Sequence, residues 1–167
     1  MKVIVLRHAS RSVDGFGDSH LSETGRNQAE NFVAAVAPRG GLPKPAHLFA
    51  SPKRRAKETL EPLSHASQVP LTIDTRLDER HHGESVHDFE GRILALLEDL
   101  MEREPFIEKD QAIYLVSHLD WLESVMTLLP SDMSDLEIAG SWSNCEYRLF
   151  EVAEGIWSLK GRGHISG

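Results

Sequence analysis

At 167 residues, 40% of them hydrophobic, the chain has the length and composition of one folded domain with a real core, not of a disordered segment. With 26 acidic residues against 18 basic ones the formal charge is -8, which disfavours a nucleic-acid partner because phosphate backbones call for clustered cations. The single cysteine, Cys145, excludes an intrachain disulfide and a cysteine-based zinc site.

The opening run Val3 to Leu6 is short, apolar and β-branched, and reads as a strand buried on both faces. It is too short for a signal-peptide core, and no later run reaches membrane-spanning length, so a soluble cytoplasmic protein without a membrane partner is expected. A polar loop, Ala9 to His20, leads to a helix from Glu23 to Ala37 with Ala29, Phe32, Val33 and Val36 on one face. Pro38 and Gly40-Gly41 end it. His47 to Ala50 is a second strand. Ser51-Pro52 then opens a helix, serine as cap and proline at the first helical position, with Ala56, Leu60 and Leu63 inward.

Leu71 to Ile73 is a third strand, followed by an irregular polar stretch, Thr75 to His87. Val86, Phe89, Ile93, Leu96, Leu97 and Leu100 mark a helix from Ser85 to Glu102. Ala112 to Val116 is another buried strand. The helix Leu119 to Leu129 turns Leu122, Val125, Met126 and Leu129 inward, and Pro130 stops it. Glu146 to Lys160 alternates about Glu154-Gly155 as a hairpin. Strands alternating with helices predict an α/β fold: a three-layer αβα sandwich with a mainly parallel sheet and an antiparallel edge hairpin. No linker or repeat divides the chain, so residues 1–167 are expected to form one domain.

Ligands of such sheets bind beyond the carboxyl ends of the strands. Arg7 and His8 follow the first strand. Ser51, Arg54 and Arg55 follow the second, and Ser117 and His118 follow the strand at 112–116. Two histidines and at least two arginines therefore share one sheet edge. Arginine suits a phosphate dianion because its planar, permanently charged donors bind in pairs. A neutral imidazole is a nucleophile near pH 7, and flanking arginines lower the His8 pKa and keep it neutral.

These residues carry a resemblance. Leu6-Arg7-His8-Ala9, Leu21-Ser22-Glu23-Thr24-Gly25-Arg26-Asn27-Gln28-Ala29, Ser51-Pro52-Lys53-Arg54-Arg55-Ala56-Lys57-Glu58-Thr59 and Val116-Ser117-His118 are similar, in order, to motifs of the histidine phosphatase superfamily, the phosphoglycerate mutase-like proteins. The resemblance implies that fold. It also implies a phosphatase that hydrolyses a phosphomonoester or phosphohistidine through a phosphohistidine intermediate on His8. Arg7, Arg55 and His118 would hold the phosphoryl group, Arg55 rather than Arg54 because it directly precedes Ala56. Glu79 resembles the proton donor. Arg11, Ser51, Glu84 and Leu119 are candidate substrate-binding residues.

Ala9 and Leu119 stand where the family has glycine, which narrows the pocket rim. The stretch Leu77 to Ser85 joins two family landmarks with almost no cap insertion between them, so Glu84 is an alternative to Glu79 as the acid. A short, uncapped chain is similar to the small phosphohistidine phosphatases and suits a phosphoprotein substrate, though a phosphorylated small molecule stays open. A mutase, which must shield its phosphoenzyme, is the weaker reading. No metal or cofactor is called for.

Two alternatives remain. One is a non-catalytic module of this fold that binds phosphate or a phosphoprotein. The other is a metal site at His81, His82 and His87, against which stands the simpler reading of an exposed polar stretch. His20, His47, His65 and His164 read as surface or structural residues. Cys145 reads as buried filler on a strand, and Trp121, Trp142 and Trp157 as packing residues. Oligomeric state is left open.

Overall fold

A strand with no polar position must be covered on both sides, and Val3–Leu6 is covered that way. The computed structural model describes residues 1–14, 17–36, 38 and 40–167. In it β1 (Lys2–Arg7) lies inside a six-stranded sheet of order β3-β2-β4-β1-β5-β6. β2 (Lys44–Ala50), β3 (Leu71–Ile73) and β4 (Gln111–Ser117) run parallel with β1. β5 (Glu146–Ala153) is antiparallel to β1, and β6 (Ile156–His164) antiparallel to β5. The hairpin turns at Glu154 (φ 52°) and Gly155 (φ 78°). Two consecutive positive φ values match the twist of a two-residue hairpin, and glycine takes the second without strain. The predicted mainly parallel sheet with an antiparallel edge is the observed one.

Alternation along β1 divides the core. Ile4 and Leu6 pack with Phe32 of α1 (Glu23–Val36) and Leu60 of α2 (Arg54–Ser67). Val3 and Val5 pack on the other face with Ile93 of α3 (Val86–Arg103) and Val125 of α4 (Leu119–Leu128). Helices thus cover both faces, which makes the three layers. A single-turn helix, α5 (Asp135–Ile138), begins with a reciprocal Ser134–Glu137 cap that the apolar pattern did not signal.

Several local expectations change. The last residue of the first predicted helix, Ala37, lies outside the described residues. Ser51 does not cap α2, which begins at Arg54 after Lys53; the backbone N–H its hydroxyl accepts is that of Lys53, at 3.3 Å, ahead of the helix, and Pro52 lies outside the helix. Ser85, rather than opening α3, caps it by accepting the Asp88 N–H, and Val86 behind it is 52% exposed instead of inward. Cys145 is buried as expected, but just ahead of β5 with φ 57°. Among the described residues no helix is long and apolar enough to cross a membrane.

Candidate active site

β1, β2 and β4 end side by side, so the residues that follow them meet. A cleft of about 550 Å³ is lined by Arg7, His8, Arg11, Arg55, Glu79, His118 and Leu119, together with Asp120, Glu123 and Asn144. Of the sequence candidates, seven are gathered here. Ser51 lies directly behind them, fully buried. Arg54 points away and is exposed, while Arg55 is 5% exposed in the cleft.

The tautomers of both histidines are fixed by their partners. His8 Nδ1 lies 2.7 Å from the Ala9 carbonyl oxygen, which can only accept, so Nδ1 carries the proton. Nε2 is left with its lone pair towards the cleft, where it accepts from Arg55 Nε at 3.3 Å. Arg55 Nη2 also donates to His118 Nδ1 at 3.2 Å and to Glu79 Oε2 at 2.7 Å. Arginine has no acceptor, so His118 Nδ1 is unprotonated and Nε2–H donates to Ser51 Oγ at 2.7 Å. The two rings are 5.3 Å apart. One guanidinium thus contacts both imidazoles and the candidate acid.

Burial drives the His8 pKa down to about 4, with Arg55, Arg7 and Arg11 adding to it against the opposing Ala9 hydrogen bond. The sequence reading gave that role to the arginines; desolvation is the larger cause. His118 is pushed to about 2, by burial first and then by Arg55, His8, Lys53 and Arg7. Both rings are neutral at physiological pH.

The loop bearing His8 is held from four sides. The Ala9 N–H donates to Thr59 Oγ1 at 2.9 Å, and the Ser10 N–H to Gln28 Oε1 at 2.9 Å. Ser22 donates its N–H and hydroxyl to the Ser10 carbonyl. Gly25 sits against that same carbonyl, where a Cβ would overlap the oxygen. Gly25, Gln28 and Thr59, from two separate motifs of the sequence, thus meet on the one loop that carries His8. The Ala9 methyl is fully buried in the core beside α1 and α2 and does not narrow the rim; Leu119 does line it.

Glu84 lies outside this cleft. Arg92 of α3 takes its carboxylate at 2.7 and 3.0 Å, and the His81 N–H donates to it as well. The Arg92 pair in the first place holds the Glu84 pKa at about 2. Glu84 is thus ionised and held by Arg92, and it does not line the cleft in which Glu79 stands. Arg92 also donates to the carbonyls of Arg76, Asp78 and Glu79, so the pair steadies the segment carrying Glu79. Glu79 keeps a half-exposed place in the cleft, bonded to Arg55 and 3.6 Å from Lys53 Nζ. His81 turns to Asp78, His82 and His87 are exposed, and no group of metal-ligating side chains forms among the described residues.

The sequence reading missed the far wall. Asn144 Nδ2 donates to the His8 carbonyl at 3.1 Å, and Arg7 donates to the Trp142 carbonyl at 2.7 Å. Buried Arg148 stacks on Trp142 at 4.2 Å and holds the carbonyls of Glu137 and Gly140, anchoring that loop. Asp120 and Glu123 stand on the first turns of α4. Only their position just after His118 hinted at them.

Residues 3–84 match the sequence profile of the histidine phosphatase superfamily, branch 1. A glucosyl-3-phosphoglycerate phosphatase of Mycolicibacterium vanbaalenii is 35% identical over 89 residues, which are 50% of this chain and 38% of that protein. Among solved structures, a protein described as mycobacterial hydrolase 1 superposes with a TM-score of 0.79 at 22% identity, covering 99% of each chain. The mycobacterial glucosyl-3-phosphoglycerate phosphatase with inorganic phosphate gives 0.77 at 23% identity, over 96% of this chain and 95% of that one. The protein histidine phosphatase SixA with tungstate gives 0.75 at 16% identity, over 99% and 98%. At these identities the structural likeness is one of fold.

Proposed function

We propose that this chain, which belongs to the histidine phosphatase superfamily, hydrolyses a phosphomonoester or phosphohistidine through a phosphoryl group carried on His8. The observation that carries the reading is the single lone pair at His8 Nε2, held neutral and turned to Arg55 in a cleft that Arg7 and Arg11 also line. Nε2 attacks phosphorus in line, the P–O or P–N bond to the leaving group breaks, and water then cleaves the new P–N bond. Before attack, the Arg55 Nε–H must leave Nε2 for a phosphate oxygen. Arg7 and Arg55 offset charge on the equatorial oxygens. His118 Nδ1 is an acceptor in the structure, so it joins them only by taking up a proton, which a bound dianion favours. Glu79 is positioned to protonate a poor leaving group.

Two features bear on the substrate. Residues 78–85 join the Thr75–Leu77 turn to α3 directly and build no cap. The cleft also carries Glu79, Asp120 and Glu123, which repel a second anionic group once phosphate is bound. Both features suit a bulky substrate whose leaving group bears no carboxylate, such as a protein phosphohistidine that releases its imidazole, and weigh against a phosphoglycerate mutase. We read the 167 residues as one such domain acting in the cytoplasm. Intact mass measured after a rapid acid-free quench should show one phosphate on wild type and none on His8→Ala. A panel of phosphohistidine protein, aryl phosphate and sugar phosphates should show turnover that His8→Ala abolishes. Firm phosphate binding with no adduct and no turnover would instead identify a non-catalytic binding module.

A further inference from the structure

The proposed reaction leaves a question of charge. His118 must hold a proton on Nδ1 to donate to a phosphate oxygen. Yet the groups around it mostly oppose that: Arg55 and Lys53 from α2 and its cap, and Arg7 and His8 from the end of β1. Glu79 approaches Nδ1 to 3.9 Å, but it is half exposed and shared with Arg55 and Lys53.

On the far side of the ring lies a buried carboxylate. His118 Nε2–H donates to Ser51 Oγ at 2.7 Å, and the Ser51 hydroxyl donates on to Asp78 Oδ1 at 3.3 Å. The direct distance from Nε2 to Asp78 Oδ1 is 3.8 Å. His118, Ser51 and Asp78 are 2%, 0% and 6% exposed. Asp78 is itself fixed, Oδ1 by the Glu79 N–H at 2.9 Å and Oδ2 by His81 Nε2 at 2.9 Å, with Arg92 holding its carbonyl.

We propose that Asp78, acting through Ser51, is the positioning residue that locks His118 with Nδ1 towards the cleft and allows it to become an imidazolium when phosphate binds. The arrangement requires a charge and a direction. Ser51 can accept from Nε2 only while its own hydroxyl is spent on Asp78, so the carboxylate reinforces the tautomer that Arg55 imposes from the cleft side and keeps it once phosphate draws Arg55 away. Its negative charge, screened little by water at this depth, then offsets the proton gained on Nδ1. Neither contact touches substrate.

This rests on the phosphate-site reading, and the test separates the two. Inorganic phosphate is titrated into the whole protein by calorimetry at pH 8, where it is almost entirely dianion, in two buffers of different ionisation enthalpy. Wild type should take up protons on binding phosphate, fewer than one per phosphate because burial opposes the charge on His118. Asp78→Asn keeps the acceptor for Ser51 and the volume but removes the charge. It should lose more than half of that uptake and bind phosphate about tenfold more weakly. Ser51→Ala, which breaks the link and leaves the carboxylate, should do likewise. Phosphate binding without proton uptake in wild type, or uptake and affinity unchanged within twofold in Asp78→Asn, would overturn the assignment and leave the phosphatase reading intact. No phosphate binding by wild type would remove both.

Discussion

Acidification is the perturbation most directly calculable from the site. The His8 imidazole, at about 4, lies some 2.5 units below its ordinary 6.5. At pH 5.5 an ordinary histidine is about 9% neutral, whereas one at about 4 is roughly 97% neutral, a tenfold difference in competent nucleophile. Folding carries the same shift. Between about pH 6.5 and 4 the unfolded chain binds a proton that folded His8 refuses, so stability falls as pH drops through that window and is unaffected above it. The loss amounts to about 3 kcal/mol at pH 4. An NMR titration of the His8 ring, assigned against His8→Gln, should give a midpoint near 4. Urea denaturation should show wild type losing about 3 kcal/mol more than His8→Gln between pH 7 and 4. Arg55→Gln removes the largest charge contribution but not the burial, so its midpoint should rise and still stay below 6.5. A wild-type midpoint near 6.5 would refute the reasoning, since neither burial nor the cations would then keep the ring neutral.

Arg55→Lys keeps the charge and loses the planar fork that reaches His8, His118 and Glu79 together. Phosphoenzyme formation by rapid quench should fall about 10²-fold, and a loss under threefold would show that charge alone suffices. Gly25→Ala places a Cβ on the Ser10 carbonyl and pushes the His8 loop out of place. It should cost about 1–3 kcal/mol in denaturation and lower kcat/KM, whereas wild-type values for both would mean the loop is not held there. Glu79→Gln should slow alkyl phosphates at least tenfold more than nitrophenyl phosphate, because only the former leave as poor alkoxides. Equal effects on the two would remove Glu79 as an acid.

The sheet edge that gathers His8, Arg55 and His118 was legible because it follows from local signals. His8 and His118 come within two residues of runs too apolar for anything but a covered strand, and Arg55 stands in the first turn of the helix that follows β2. Parallel strands joined by helices bring such ends together wherever they fall in sequence. The distinction between Glu79 and Glu84 was not local. It is made by Arg92, eight residues beyond Glu84 and on α3, which takes one carboxylate out of contention while bracing the backbone of the other. The same holds for Asn144, whose bond to the His8 carbonyl spans 136 positions, and for the Trp142 carbonyl. A main-chain acceptor leaves no trace in residue identity. Ala9 was misread for a related reason: a residue next to a nucleophile suggests the rim, but hydrogen bonds to Thr59 and Gln28 turn this loop so that its methyl enters the core.

What distinguishes the site electrostatically is that Arg55, the guanidinium nearest His8, is committed before any substrate arrives. Arg55 spends its donors on His8, His118 and Glu79, and Arg7 spends one on a main-chain carbonyl. A dianion entering the proposed site competes for Arg55 with all three partners at once, and each release has a chemical consequence. His8 regains the lone pair that attacks, Glu79 is freed to approach the leaving atom, and His118 loses the donor that kept Nδ1 unprotonated. Phosphate binding and arming of the nucleophile are then the same rearrangement. A ligand too small or too weakly charged to displace the guanidinium would leave His8 capped, which ties reactivity to the charge on the substrate and not merely to access.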